Sequence, residues 1–197
     1  MGEVNNIIHW IAAGLLIPVI ILLLFAFVKA LILLGGFFGM YINRLKYSKE
    51  VNSAIKEVKN DKTNLVAKIN AIKGDRSFTA HLKDLVAHTN DSLYSEKVLS
   101  DFEMAVEKDL STSKSLARLG PMLGLMGTLI PMGGALVDMA SGDMGSMAQN
   151  MQNCLSATVL GLFTGGIGFV TQLIKQRWYV EDLNNLEFLY NILKQNK

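Results

Sequence analysis

Hydroxyl side chains set among apolar residues are the groups in this sequence whose type and position could do chemistry. Thr128 and Thr158 are flanked by runs of Leu, Gly, Met and Ala, and Ser156, Thr164 and Thr171 lie in similar surroundings. Such a hydroxyl can donate to a carboxylate that carries an ion, or it can bond a carbonyl of its own helix and do nothing further. From Leu119 to Ile174 only two residues are charged, Asp138 and Asp143, and Asp138 sits near one end of its apolar run. A proton carrier working alone needs an ionisable group deep in the apolar phase. None lies there, so if ions pass, a partner must bring the titrating carboxylate.

Other chemistries find no residues to carry them. There is no Ser/His/Asp grouping, no HExxH, no phosphate-binding GxxxxGK[ST] and no paired carboxylates. The chain therefore reads as no enzyme. His9 reads as an interfacial residue, and His81 and His88 as surface or packing residues. One cysteine, Cys154, leaves no disulfide within the chain, and without a Cys/His cluster no metal or other cofactor is expected. A net charge of +2 makes no case for nucleic acid as a partner.

The elements that position the threonines are membrane helices. Half of the 197 residues are hydrophobic and the mean hydropathy is +0.30. Between Met40 and Ser115 stand 13 Lys/Arg and 11 Asp/Glu, a polar segment set between apolar ones. The N-terminus carries Glu3 and no basic residue before its long apolar run, which reads as a retained span rather than a cleaved leader. The fold class expected is an all-α membrane protein with three spans and a helical cytoplasmic segment between the first and second. Residues 1–6 are expected outside, 7–34 as the first span and 35–117 as the cytoplasmic segment. The second span is 118–140, an external loop covers 141–153, the third span is 154–175, and 176–197 form a cytoplasmic amphipathic helix. Either the first helix continues past the bilayer or Gly35-Gly36 breaks it. Pro18 is a kink position, and Lys29 snorkels to the interface. In the polar segment, which has one glycine, Gly74, the residues Phe102, Ala105, Val106 and Leu110 form an apolar stripe, and nothing interrupts Ser95–Leu119, so that helix can run into the second span. Lys56, Lys59 and Lys62 read as a solvated face.

Basic residues set the orientation. Arg44, Lys46 and Lys49 follow the first span, Lys114 and Arg118 precede the second, Lys175 and Arg177 follow the third, and the loop between spans two and three has none. This predicts a multi-pass protein with the N-terminus outside and the C-terminus in the cytoplasm. Trp178 and Tyr179 suit the interface. The first span is rich in large apolar residues and suits lipid. The other two carry small residues every three or four positions: Gly120, Gly124, Gly127, Pro131 and Ala135 on one, Thr158, Gly161, Gly165 and Gly168 on the other. Small faces pack helices closely in lipid.

The segment ARLGPMLGLMGTLIPMGGAL, 117–136, followed by LSATVLGLFTGGIGF, 155–169, resembles the MotA/TolQ/ExbB proton-channel family. The GP-x-LGL-x-GT core at Gly120–Thr128 is similar to the start of that family's second conserved helix, and ATxxGL at Ala157–Leu162 to its third. Three spans with a large first cytoplasmic segment resemble the ExbB/TolQ branch rather than the four-span MotA branch. The resemblance implies a homopentamer around a pore in the cell membrane, and an ExbD/TolR/MotB-like single-span partner whose aspartate enters that pore. It implies an ion-driven motor running on protons or sodium ions. Thr128 and Thr158 match the family's pore-facing threonines, Pro121 a proline at the inner end of the same helix, and Ala157 a small residue beside the second threonine. Where ExbB and TolQ carry a glutamate, five residues before that threonine, this chain has Asn153. Pro131 and Gly133-Gly134 also depart from the ExbB pattern. The other reading is a non-conducting membrane scaffold, in which the glycine stripes only pack helices.

Overall fold

The computed structural model describes residues 2–60, 76–88 and 91–195. Lys62 and Gly74, and the side chains of His9, Lys46, Lys49, Lys56 and Lys59, lie outside the described residues. Among the described residues four helices follow one another: α1 (Gly2–Asn60), α2 (Arg76–Ala87), α3 (Ser92–Ser141) and α4 (Met144–Gln195). There is no strand among the described residues. Three of the helices, α1, α3 and α4, are long and apolar enough to cross a membrane.

The helices are longer than the spans they contain. Gly35-Gly36 does not break α1, which runs to Asn60. Each helical glycine costs about 1 kcal/mol relative to alanine, too little to end a helix of this length. α3 runs from the polar segment through its apolar stretch with Pro121 and Pro131 inside it. The polar stretch 141–153, expected as a loop, is mostly helix. Gly142, at φ 81°, makes the reversal after Ser141, and α4 starts at Met144. Asp143 explains the early start. Its Oδ1 accepts from the Ser146 backbone N–H at 3.1 Å and its Oδ2 from the Ser146 hydroxyl at 2.7 Å, an N-cap that nucleates the helix ten residues before the apolar run. The C-terminal amphipathic stretch is likewise no separate helix but the end of α4.

The chain divides into two units. One comprises residues 1–35 and 112–172. In it Ala26 and Ala30 of α1 pack with Leu116 of α3 and Ile167 of α4, and Phe27 meets Phe163 with ring centroids 6.0 Å apart. Lys29, exposed beside the Phe25 ring at 5.3 Å, thus lies at the level of Leu116 and Ile167.

The other unit comprises residues 36–111 and 173–197. Its core joins Phe78, Leu82 and Leu85 of α2, Val98 and Phe102 of α3, and Leu186, Leu189, Tyr190 and Leu193 of α4. Spacings of three and four put each set on one helix face. On α3 the stripe is Val98, Phe102, Val106 and Leu110; Ala105, expected in it, is exposed. Two polar ties complete the unit. Arg44 donates to Asp182 at 2.7 Å and Glu181 at 3.3 Å, beside a stack of Phe37 on Trp178 with centroids 5.8 Å apart. Lys175, nearly buried, meets Asp109 at 2.8 Å, and the Tyr179 hydroxyl donates to the same oxygen.

Candidate functional site

α3 and α4 reverse direction at Gly142 and lie antiparallel, backbone against backbone. The glycines make this possible. A Cβ on Gly120 would stand 2.6 Å from the Gly165 nitrogen and 2.8 Å from the Gly161 oxygen. One on Gly161 would stand 2.6 Å from the Gly124 Cα, and one on Gly168 2.6 Å from the Ala117 nitrogen. Gly165 receives the Pro121 ring, whose Cδ lies 2.6 Å from where its Cβ would be, and Gly127 receives the Ala157 methyl at 2.7 Å. Pro131 and Ala135 continue the same buried face of α3. These small residues are therefore used inside one chain.

The two threonines follow from that packing. Thr128 comes one residue after Gly127, and Thr158 one residue after Ala157. One residue turns a side chain by about 100° around its helix. In an antiparallel pair that step turns both side chains toward the same flank. Cys154, buried at the seam, links them. Its thiol donates to the Thr128 carbonyl at 3.3 Å, and its carbonyl accepts from the Thr158 hydroxyl at 3.2 Å. The Thr128 hydroxyl donates to the Leu125 carbonyl at 2.7 Å. Both threonines are partly exposed, whereas Thr164 and Thr171 are buried, with the Thr164 hydroxyl bonded to the Leu160 carbonyl at 2.8 Å. Ser156 is exposed and bonds the Gln152 carbonyl. Thr128 and Thr158 are thus set apart from Thr164 and Thr171 by access, and from Ser156 by flank, since Ser156 stands one residue before Ala157 and turns the other way.

Depth can be read along α3. Arg118 and Asp138 bracket twenty residues, about 30 Å of helix, which equals the thickness of a bilayer's hydrocarbon. Thr128 lies midway. A donor hydroxyl in that position faces an apolar phase where an unpaired acceptor or charge is very costly, so any carboxylate brought there would seek it.

At the Ser141 end of α3 a further arrangement escaped the sequence reading. The Asn150 amide donates to Asp138 Oδ2 at 2.8 Å across the two helices. Asn153, by contrast, is exposed on α4. The signal for Asn150 was its place four residues before Cys154 and seven before Ala157, the face that meets α3.

The exposed surface of the apolar stretch of α3 is itself apolar. Met122, Leu125, Met126, Leu129, Leu136 and Val137 of α3 are all more than half exposed. In the apolar stretch of α3 only 22% is buried, as in α1, against 39% in α4.

A model of the MotA/TolQ/ExbB proton channel family matches residues 70–184, more than half of the chain and including the whole hairpin. No curated protein and no solved structure matches the chain.

Proposed function

The chain belongs to the MotA/TolQ/ExbB proton channel family and is a multi-pass membrane protein, and from that premise we propose that it is the channel subunit of an ion-driven motor of the ExbB/TolQ-like branch. Five copies surround a pore in the cell membrane, and a single-span partner of ExbD/TolR/MotB type carries an aspartate into it. The spans are 7–34, 118–140 and 154–175, with the N-terminus and the Gly142 turn outside and the C-terminus in the cytoplasm. The chain makes and breaks no covalent bond of its own. The open apolar face of α3 is the surface left for neighbouring copies and lipid.

The observation that carries this reading is the pair Thr128 and Thr158, on one flank of the hairpin at mid-depth. Their hydroxyls rest on carbonyls of their own helices. A partner carboxylate arriving ionised draws a hydroxyl away from its carbonyl, because a charged acceptor makes the stronger bond. Once protonated, the carboxyl no longer holds that donor, the hydroxyl returns to its helix, and the partner helix is free to move to the next subunit. The membrane field supplies about 2.3 kcal/mol per charge per 100 mV to drive the cycle.

The same resting bonds favour the scaffold as second reading, since a threonine bonded to its own helix can be silent. The double variant Thr128→Ala/Thr158→Ala separates the two. In proteoliposomes holding the chain with its co-purified partner, the channel reading expects voltage-driven ion flux to fall by about two orders of magnitude with the oligomer intact. Flux equal to wild type defeats it. Native mass spectrometry should find five copies together with a single-span protein bearing a membrane aspartate. Parallel sodium and proton gradients identify the ion.

A further inference from the structure

The hairpin between Leu119 and Ile174 holds two acids, and they sit in opposite electrostatic settings. Asp143 stands at the start of α4, where the helix dipole and free N–H groups welcome an anion. Its carboxylate is bound by the hydroxyl and backbone N–H of Ser146, which hold its pKa below the usual carboxylate range. Its presence is explained by capping alone. Asp138 lies within the last turn of α3, where the dipole presents its negative end and disfavours an anion. No Lys, Arg or His exists anywhere in the hairpin to neutralise it. It is half-buried, accepts one bond, from the Asn150 amide, and leaves Oδ1 without a hydrogen bond among the described residues.

A carboxylate kept for structure would be paired with a cation, or replaced by an amide that makes the same bond without the repulsion. Instead, a carboxyl with no cation in its own hairpin stands at the end of the apolar stretch of α3, about 15 Å of helix from Thr128, with an oxygen that accepts no bond among the described residues. We propose that Asp138 is the proton-collecting group at the outer mouth of the channel. It raises the local proton concentration and passes protons toward the partner carboxylate at the threonines, while Asn150 holds it at the α3–α4 seam. Of the other acids on the outer side, Asp143 is engaged by Ser146 and Glu3 is exposed near the start of α1, and both add to the field. The assignment rests on the channel reading above.

The test measures voltage-driven proton uptake, with an internal pH dye, in proteoliposomes of the full chain and its partner, scaled to assembled complex. Four variants are compared: Asp138→Asn, Asp138→Glu, Asn150→Ala and Thr128→Ala/Thr158→Ala. Asp138→Asn keeps an acceptor for the Asn150 amide and removes only the charge. The expected result is a loss of about tenfold or more in Asp138→Asn, steepest at high external pH where protons are scarce. Asp138→Glu recovers most of the rate, and Asn150→Ala, which loosens the carboxylate but keeps it, loses clearly less than Asp138→Asn. Equal losses in Asp138→Asn and Asn150→Ala would make the pair a structural tie and overturn the proposal. So would an unchanged rate in Asp138→Asn when the threonine variant is inactive, which leaves the channel reading standing. A threonine variant with wild-type uptake would remove the channel reading itself.

Discussion

One buried stripe runs the length of α3, and its two halves are made of different residues. In the unit that holds α2 it reads Val98, Phe102, Leu110; in the unit that holds the hairpin it reads Gly120, Gly124, Gly127. α4 changes in the same way, from Gly161, Gly165 and Gly168 to Leu186, Leu189 and Leu193. The helical spacing is the same in both halves, so the difference lies in the solvent. In water, burying a large apolar side chain yields about 1.5–3 kcal/mol. In lipid that gain vanishes, because the side chain is as well solvated by acyl tails, and close backbone contact becomes the better source of attraction. On α3 the switch from Leu116 to Gly120 straddles Arg118, the last charged residue before Asp138.

The strongest way to break this contrast is to give the membrane half the residues of the aqueous half. Gly120→Leu/Gly161→Leu puts side chains where the opposing backbone lies under 3 Å away, and the hairpin cannot close. Overpacking costs about 1–3 kcal/mol per site where neighbours can yield, and backbone cannot, so no monodisperse folded species should elute in size-exclusion chromatography in detergent. Next comes the converse. Phe102→Ala empties the centre of the other unit and should cost about 3–5 kcal/mol in reversible denaturation, while leaving the glycine seam in place.

A smaller effect is expected at the Lys175–Asp109–Tyr179 cluster. Burial pushes the Asp109 carboxyl up, but the hydrogen bonds from Lys175 and Tyr179 and the lysine charge outweigh it and leave its pKa below the usual value of 3.8. Because the folded pKa is depressed, the stabilisation is present above that unfolded value and is lost as pH falls below it through the folded one. Lys175→Met should cost about 1 kcal/mol at neutral pH, since Asp109 is half-exposed and water takes over part of the solvation. The loss should shrink when melting is repeated at pH values below 3.8. Smallest of all is Gly166→Ala. A Cβ there meets nothing within 4 Å in the chain, so the helix should gain up to about 1 kcal/mol. A fall in stability only in the assembled oligomer would show that a neighbouring copy covers that face.

The order of elements was legible in advance where one physical signal dominates. Apolar length marked the three spans, and glycine at intervals of three and four marked the faces of α3 and α4 that meet. Signals failed where composition and local geometry disagree. The stretch 141–153 is polar and glycine-bearing, and read as loop, yet one side chain, Asp143, caps it into helix. Ala105 fits the apolar pattern by spacing, but α2 reaches only the neighbouring stripe through Phe102.

Which residues can do chemistry was set by the amino-acid order alone: two threonines in apolar runs, two acids in a hairpin without a base, and small residues in register. Which of those are used up was settled by packing. Gly120, Gly124, Gly127, Gly161, Gly165 and Gly168 are spent on α4 against α3, Asp143 on a cap, and Thr164 and Thr171 in the interior. Thr128 and Thr158 remain accessible on one flank because each stands a single residue past a contact point, and that phase relation exists only once two antiparallel helices are brought within touching distance.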